Sequence, residues 1–350
     1  MVCPVMKLNR RQKKYKKIFL KKLAEDTYML EKNRCPCGGS MDLLLATNDH
    51  FGIPIKVVLC KLCGTMRVDP YYTDKTLRSF YDLEYRELYE LNPRVSKKFF
   101  DHEVEGGEFI YKYLFNNFYK KDINNKVIFE IGCSAGGILS YFKTMKNEVH
   151  GCDYDSTYIR YGRNRGLDLK IGGIEQLEKI SKKADIIILC HVLEHCRNPI
   201  SVLKRAKKLL KNDGILFVAV PGIYFVHRSS DADFRNYVQS AHCFYFTLRT
   251  LTKVACMAGY KLVYGDESAF AVFTKGKDNV NFRGENYKDI LKYLGYVSRH
   301  RYLLLYKGKV INYVLNLLKS IGLLNFAIGI YHLRKNTHGS HMSQKISYFS

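Results

Sequence analysis

The residues best suited to chemistry lie on one stretch that ends an apolar run in an acid and a glycine turn. Residues 127–142 read VIFEIGCSAGGILSYF, so a strand closes in Glu130-Ile131-Gly132-Cys133-Ser134-Ala135-Gly136-Gly137 and a helix opens behind it. A second short strand stops at Gly151-Cys152-Asp153. Apolar strand, glycine turn, helix, strand and acid is the layout of a nucleotide-type ligand site at the edge of a parallel sheet. The glycines let backbone approach a ligand closely, and the acid can accept hydrogen bonds from ribose hydroxyls. The spacing is E-x-G-x-x-x-G rather than the G-x-G-x-x-G of a dinucleotide fold, with Ser134 at the middle position.

A second group of reactive side chains follows further buried strands. Asp185 to Cys190 is an apolar, β-branched run of the length of a buried parallel strand. It leads into His191-Val192-Leu193-Glu194-His195-Cys196-Arg197-Asn198-Pro199. A basic helix is expected over Ile200 to Leu210, then a turn at Asn212-Asp213-Gly214 and a strand from Ile215 to Val220. His242-Cys243-Phe244-Tyr245-Phe246-Thr247 precedes another helix and Ala258-Gly259-Tyr260. Lys261 to Tyr264 and Ala269 to Lys275 form the expected final hairpin. His191, His195, His227 and His242 thus fall at or beside carboxyl ends of strands, where ligands bind in open α/β sheets.

The glycine turn resembles motif I of the class I S-adenosylmethionine (SAM) methyltransferases, with Ser134 in place of a common glycine. His191–Pro199 resembles the "hxLEHxxxP" segment of ubiquinone- and sugar-type methyltransferases. His242–Thr247 with Ala258-Gly259-Tyr260 resembles their "H-x-x-F/Y-F/Y-T … aGf" segment. The resemblance spans roughly residues 70–276. It implies an α/β, Rossmann-like seven-stranded sheet, mostly parallel with the last strand antiparallel, and SAM as cofactor. It places Glu130, Gly132, Cys133 and Gly136 at the first turn, Asp153 on the ribose and Tyr154 against the adenine. Ile174 and Glu175 follow the third strand, where Gly173 holds the usual acid position and Glu175 is the substitute. His191 would face the methyl side. A "FY…YR…Y" segment of the same enzymes lies over the SAM pocket, so Tyr81, Tyr85 and Arg86 are implied to touch SAM or substrate; the same near-helical aromatic spacing also suits packing against the core. A helix from about Glu105 to Phe118 then leads into the first strand.

Methyl transfer to a hydroxyl gains from alignment and from a general base, the latter typically worth roughly 10²–10⁴-fold. His242 and His195 are the candidates, since imidazole titrates near neutral pH. His227 lies in a polar loop, Ile223 to Ser240, that suits gripping hydroxyls or phosphates or forming a solvated lid.

Arg34-Cys35-Pro36-Cys37-Gly38-Gly39 and Cys60-Lys61-Leu62-Cys63-Gly64 are two cysteine pairs each followed by glycine. Cys35, Cys37, Cys60 and Cys63 suit a closed tetrahedral zinc site of structural type, with Ile53 to Leu59 as a ribbon strand between them. The other reading is four buried free thiols in a small β unit. The first pair is one residue shorter than a standard knuckle. A zinc module before a SAM domain resembles methyltransferases of glycan and deoxysugar pathways.

With 350 residues the chain can bury a full core in more than one unit. Its 11 cysteines, in a sequence without an apolar signal segment or a ~20-residue apolar span, lead us to expect a cytoplasmic setting with reduced thiols. The net charge of +24 reads mainly as lysine-rich composition. Lys7 to Lys22 is the exception, a basic amphipathic helix suited to acidic lipid, RNA, a partner or the cover of the next domain. We divide the chain into a basic helical N-terminus (1–33), a zinc-ribbon-like module (34–69), a helical cap (70–125), the catalytic domain (126–276) and a helical extension with tail (277–350). Val310 to Leu333, apolar on most faces, suits docking on the catalytic domain, a homodimer contact, or an interfacial helix at the inner face of a membrane. Gly339-Ser340-His341-Met342 matches a common vector scar and is set aside.

The expected acceptor is a hydroxyl of a small-molecule, nucleotide-linked or lipid-linked sugar. A lipid-quinone or another small metabolite is the second reading. An RNA-binding protein or RNA methyltransferase using the knuckles and the basic helix is the third.

Overall fold

A computed structural model describes residues 6–90, 94–277 and 286–306, with Val310 and Leu317. Val310–Leu333 and Gly339–Met342 therefore fall almost wholly outside the described residues.

The chain opens with helix α1 (Arg10–Ala24), held by a capping box in which Asn9 and Gln12 exchange side-chain and backbone hydrogen bonds. Its apolar side does not face solvent. Phe19 is fully buried among Tyr28, Tyr72 and Phe80, and Lys22 reaches the buried Glu84 at 2.5 Å. Of the roles open to the basic helix, the structure shows the covering one. Strands β1 (Leu30–Glu31), β2 (Asp42–Asn48), β3 (Pro54–Cys60), β4 (Met66–Val68) and β5 (Tyr71–Tyr72) follow.

Next comes a single aromatic helical stretch: α2 (Asp74–Phe80), a π turn over Tyr81–Tyr85, and α3 (Arg86–Tyr89). π turns inside helices frequently mark functional sites. Helix α4 (Lys97–Leu114), capped by Ser96, begins well before the expected Glu105.

The large sheet is built from β6 (Val127–Ile131), α5 (Gly137–Thr144), β7 (Glu148–Asp153), α6 (Ser156–Arg163), β8 (Asp168–Ile171), β9 (Ala184–Cys190), α7 (Pro199–Leu209) and β10 (Leu210–Ala219). After it come α8 (Phe234–Tyr237), β11 (Phe244–Tyr245), α9 (Leu248–Met257), β12 (Tyr260–Gly265), β13 (Phe270–Lys275) and α10 (Asn286–Arg299). The strand order is β12-β13-β10-β9-β6-β7-β8. β6 to β10 pair in parallel and β13 runs antiparallel to both neighbours, as a Rossmann-like methyltransferase sheet requires. Buried on both faces, β9 reads as a continuous apolar run. Its pleat sends Ile187 and Leu189 to one core and Ile186 and Ile188 to the other.

The cysteine-bearing strands share that first core. Val57, Leu59, Met66 and Tyr72 pack in one cluster with Leu189, Leu216 and Val218. Moreover, β11 pairs antiparallel with β4, so the sheet β11-β4-β3-β2 takes its edge strand from residues 244–245. Among the described residues no helix is long and apolar enough to cross a membrane.

Candidate active site

The glycine turn leaves β6 with three left-handed residues, Gly132 at φ 73°, Ser134 at 50° and Gly136 at 78°. A side chain on Gly132 would collide with Val192 Cγ2. Ser134 tolerates a conformation that glycine adopts more readily, and its backbone amide donates to Asp153 Oδ2 at 2.9 Å. Asp153 Oδ1 accepts from the Asp155 amide at 2.9 Å. Burial raises the Asp153 carboxyl, and those two amides oppose the rise. The acid is thus fixed at the end of β7, directly across from the turn. Cys133 lies beneath it, its thiol against Gly151 in the core. Glu130 is 1% exposed, and its Oε2 has no hydrogen-bond partner. Burial, then the charges of Glu103 and Asp153, hold its carboxyl well above the usual range.

Beside this turn, the end of β9 carries a tight acid–histidine group. His191 sits at φ 53°, a strained setting of the kind that clusters at functional sites. The carboxylate of the buried Glu194 lies 3.2 Å from His191 Nδ1 and 3.9 Å from His195 Nε2. Burial pushes Glu194 upward, but the hydrogen bond from His191, then the neighbouring imidazoles of His195, His191 and His242, hold it down to about 2. His195 Nδ1 is 3.0 Å from the Ala241 carbonyl. A carbonyl only accepts, so Nδ1 is the donor here and Nε2 is the nitrogen turned toward Glu194. The His242 ring stands 4.9 Å from that of His195. Burial and neighbouring His195 push His242 down to about 3, so it stays neutral, and its Nδ1 has no partner.

The π turn roofs this group. Tyr81 and Tyr85 each present to the His195 ring edge-on at 5.9 Å, and the buried Tyr81 hydroxyl has no partner. Arg86 is committed to protein: Nε meets Asp155 at 2.6 Å, Nη1 meets Glu90 at 2.7 Å, and the guanidinium lies 3.6 Å over the Tyr158 ring. It clasps the aromatic helix onto the start of α6. At the neighbouring strand ends, Tyr154 is 60% exposed and Ile174 is buried. Glu175 Oε1 accepts the Gly173 amide at 2.7 Å. Tyr154 leans over Gly173, where a side chain would strike its hydroxyl. His227 stands apart, bonded to Tyr224 O and Tyr293 Oη at 3.0 and 2.9 Å, and serves to dock α10 on its loop.

The four cysteines come together. Cys35 Sγ is 3.4 Å from both Cys37 Sγ and Cys63 Sγ, and Cys37 Sγ is 3.7 Å from Cys60 Sγ. A tetrahedral zinc with ~2.3 Å bonds places its sulfurs roughly 3.8 Å apart, so the thiols fit such an ion. Gly38 and Gly64 turn the backbone at φ 77° and 74°, and the Gly39 amide points at Cys37 Sγ. The short first pair is accommodated by that turn. Donation from the Cys35 and Cys60 thiols draws the Cys63 thiol well below its usual range. The buried Lys253 of α9 donates to the Cys63 carbonyl at 2.9 Å, placing a cation from the catalytic side beside the thiolates.

Sequence reasoning passed over Glu103, whose Oε2 accepts the Gly137 amide at 3.2 Å, and Lys253.

Residues 102–264 match the family model described as "Methyltransferase domain". The ubiquinone biosynthesis O-methyltransferase of Pelagibacter ubique (strain HTCC1062) is 29% identical over 105 residues, 28% of this chain and 43% of that protein. A protein of Invertebrate iridescent virus 6 named as a methyltransferase, 235L, is 25% identical over 139 residues, 33% of this chain and 52% of its own length. The chain therefore spans about half the length of the curated relatives it matches. A SAM-dependent methyltransferase from Clostridium acetobutylicum ATCC 824 aligns in structure at 11% identity and a TM-score of 0.39, over 57% of this chain and 98% of that one. The match to the methyltransferase-domain model thus covers residues 102–264, with further chain on both sides.

Proposed function

We propose that this chain transfers the methyl group of SAM to a hydroxyl of a sugar or glycan precursor. The observation that carries the reading is one juxtaposition. The glycine turn with Asp153 stands at the ends of β6 and β7, and the buried Glu194–His195–His242 group stands beside it at the end of β9 under Tyr81 and Tyr85. When bound, SAM supplies an electrophilic methyl on a sulfonium. The unpartnered Glu130 Oε2 and the left-handed backbone of the Gly132 turn fit such a cationic, nucleoside-bearing group.

In this reading Asp153 accepts the ribose hydroxyls, while Tyr154, Ile174 and Glu175 border the adenine. His195 takes the acceptor proton at Nε2, with Nδ1–H fixed by Ala241 and the Glu194 carboxylate stabilising the imidazolium. His242, kept neutral, orients the acceptor. His191 borders the methyl side, and the Tyr81 phenol, held protonated by burial, is a donor for an acceptor oxygen. Cys35, Cys37, Cys60 and Cys63 hold zinc in a closed site that has structural and not catalytic work.

The test is S-adenosylhomocysteine release with SAM and a panel of nucleotide-linked and lipid-linked sugars. Turnover with one of them supports the acceptor class. Turnover confined to hydroxylated quinones would favour the second reading, which the similarity to a ubiquinone O-methyltransferase and the aromatic roof support.

A further inference from the structure

The π turn is buried the wrong way round. Leu83 is 56% exposed, whereas its neighbour Glu84 is 2% exposed. An apolar side chain outside and a carboxylate inside is the reverse of what solvation favours. Both Glu84 oxygens are occupied, each by a group from outside the aromatic helix. Oε1 accepts from Lys22 Nζ of α1, and Oε2 accepts from the Tyr28 hydroxyl. Lys22 Nζ also donates to that hydroxyl at 3.1 Å and lies 4.7 Å over the Tyr28 ring. Burial, then the hydrogen bond to Glu84, keep the Tyr28 phenol protonated and so a donor.

A second tie joins α1 to the same stretch. The buried Gln12 donates through Nε2 to the Leu88 carbonyl at 2.9 Å, one of the last-turn carbonyls that a helix cannot satisfy within itself. Phe80, just before the π turn, packs on Phe19 of α1 at 5.2 Å. The opposite side of the stretch carries Tyr81 and Tyr85 to the His195 ring. Reverting the π turn to α-helix would shift its register by one residue, a rotation of roughly 100° between its two ends. Such a turn therefore needs an external tether to keep both tyrosines on one side. A buried ion pair suits that work, because its best-attested use is to fix register rather than to add stability.

We infer that Glu84 is a positioning residue for methyl transfer and α1 its anchor: the Lys22–Tyr28–Glu84 contact holds the π turn in register, so that Tyr81 and Tyr85 stay against His195. The inference rests on the methyl-transfer reading. It gives the basic helix a role in turnover that acts through the aromatic roof.

The test compares wild type with Lys22→Met, Lys22→Arg and, as a control, Lys21→Met, whose lysine pairs with Glu25 on the exposed side of the same helix. Each full chain is assayed for S-adenosylhomocysteine release, using SAM and whichever nucleotide-linked sugar, lipid-linked sugar or quinone wild type turns over fastest. SAM calorimetry, thermal melts and hydrogen exchange read by mass spectrometry accompany it. In Lys22→Met we expect kcat to fall at least about tenfold and SAM affinity to change less than about twofold. Amides of residues 81–89 should exchange at least about tenfold faster, while those of β9 hold. Lys22→Arg should recover most of the kcat, and Lys21→Met should match wild type. If Lys22→Met does not fold, Tyr28→Phe, which removes only the O–H, should lower kcat at least about threefold with SAM affinity unchanged. Unchanged kcat in the folded variant overturns the assignment, as does loss of kcat in step with SAM binding and with faster exchange in β9. Wild type that methylates none of the acceptors overturns the methyl-transfer reading itself, and the proposal with it.

Discussion

Stripping metal from Cys35, Cys37, Cys60 and Cys63 should disable methyl transfer at a site built from other residues. The link is the shared sheet. Val68 N donates to Cys243 O at 3.0 Å, β4 pairs with β11 at Arg67–Phe244 and Met66–Tyr245, and Lys253 bonds the Cys63 carbonyl. His242 immediately precedes this segment. Structural zinc binds its thiolates with an apparent ~10–16 kcal/mol, comparable to the ~5–15 kcal/mol stability of a whole domain, so β3 and β4 should not keep their register without it. The cross-links are each worth about 1 kcal/mol net. Losing three of them, about 3 kcal/mol, lowers the docked population of the His242 segment by about a hundredfold. SAM affinity should change by less than about threefold, because Gly132, Glu130 and Asp153 stand on β6 and β7. The assay is chelator dialysis with metal counted by mass spectrometry, then kcat, SAM calorimetry and zinc add-back. Metal-free protein with unchanged kcat would refute the coupling, and loss of SAM binding in step with kcat would show general unfolding instead.

Other expectations follow from the same geometry. His242→Ala should cut turnover and leave SAM affinity nearly unchanged; unchanged turnover removes His242 from the mechanism. Gly132→Ala combines a left-handed φ of 73° with a collision at Val192, so a thermal melt should show a loss of about 2–4 kcal/mol; a melt within 1 °C of wild type would contradict the strain. Glu103 has a raised carboxyl, so its contribution to stability is full below the unfolded value near 4.5 and is lost as pH rises through about 8. Without ligand, Glu103→Gln should melt like wild type near pH 4 and above it near pH 9; parallel curves at both pH values would refute this.

The large sheet was legible because its strands carry their own signal. The run from Asp185 to Cys190 has no other comfortable place than a strand buried on both faces, and Asp153 follows from the length of β7. Glu103 was not legible, because the helix was expected only from about Glu105, and nothing in the sequence sets this acid apart from Glu105 and Glu108. Gly106 and Gly107 follow it in α4, and Gly107 faces α5. The structure uses that glycine: a side chain at Gly107 would stand 2.7 Å from the Ile138 carbonyl oxygen, so α4 and α5 can approach only without one. The pairing of β11 with β4 was invisible for a different reason. Strands of three and two residues far apart in sequence leave no periodicity, and their partnership is fixed by the common core of Leu59, Met66 and Phe244. The same holds for Lys253, whose role depends on the fold bringing α9 to the Cys63 knuckle.

The most direct test of the central claim is native mass spectrometry of the purified chain with and without excess SAM, repeated on Asp153→Ala. The account predicts one zinc-sized and one SAM-sized adduct per wild-type chain, with the SAM adduct sharply reduced in Asp153→Ala and the zinc retained. A chain that carries zinc yet acquires no SAM or S-adenosylhomocysteine adduct would contradict it.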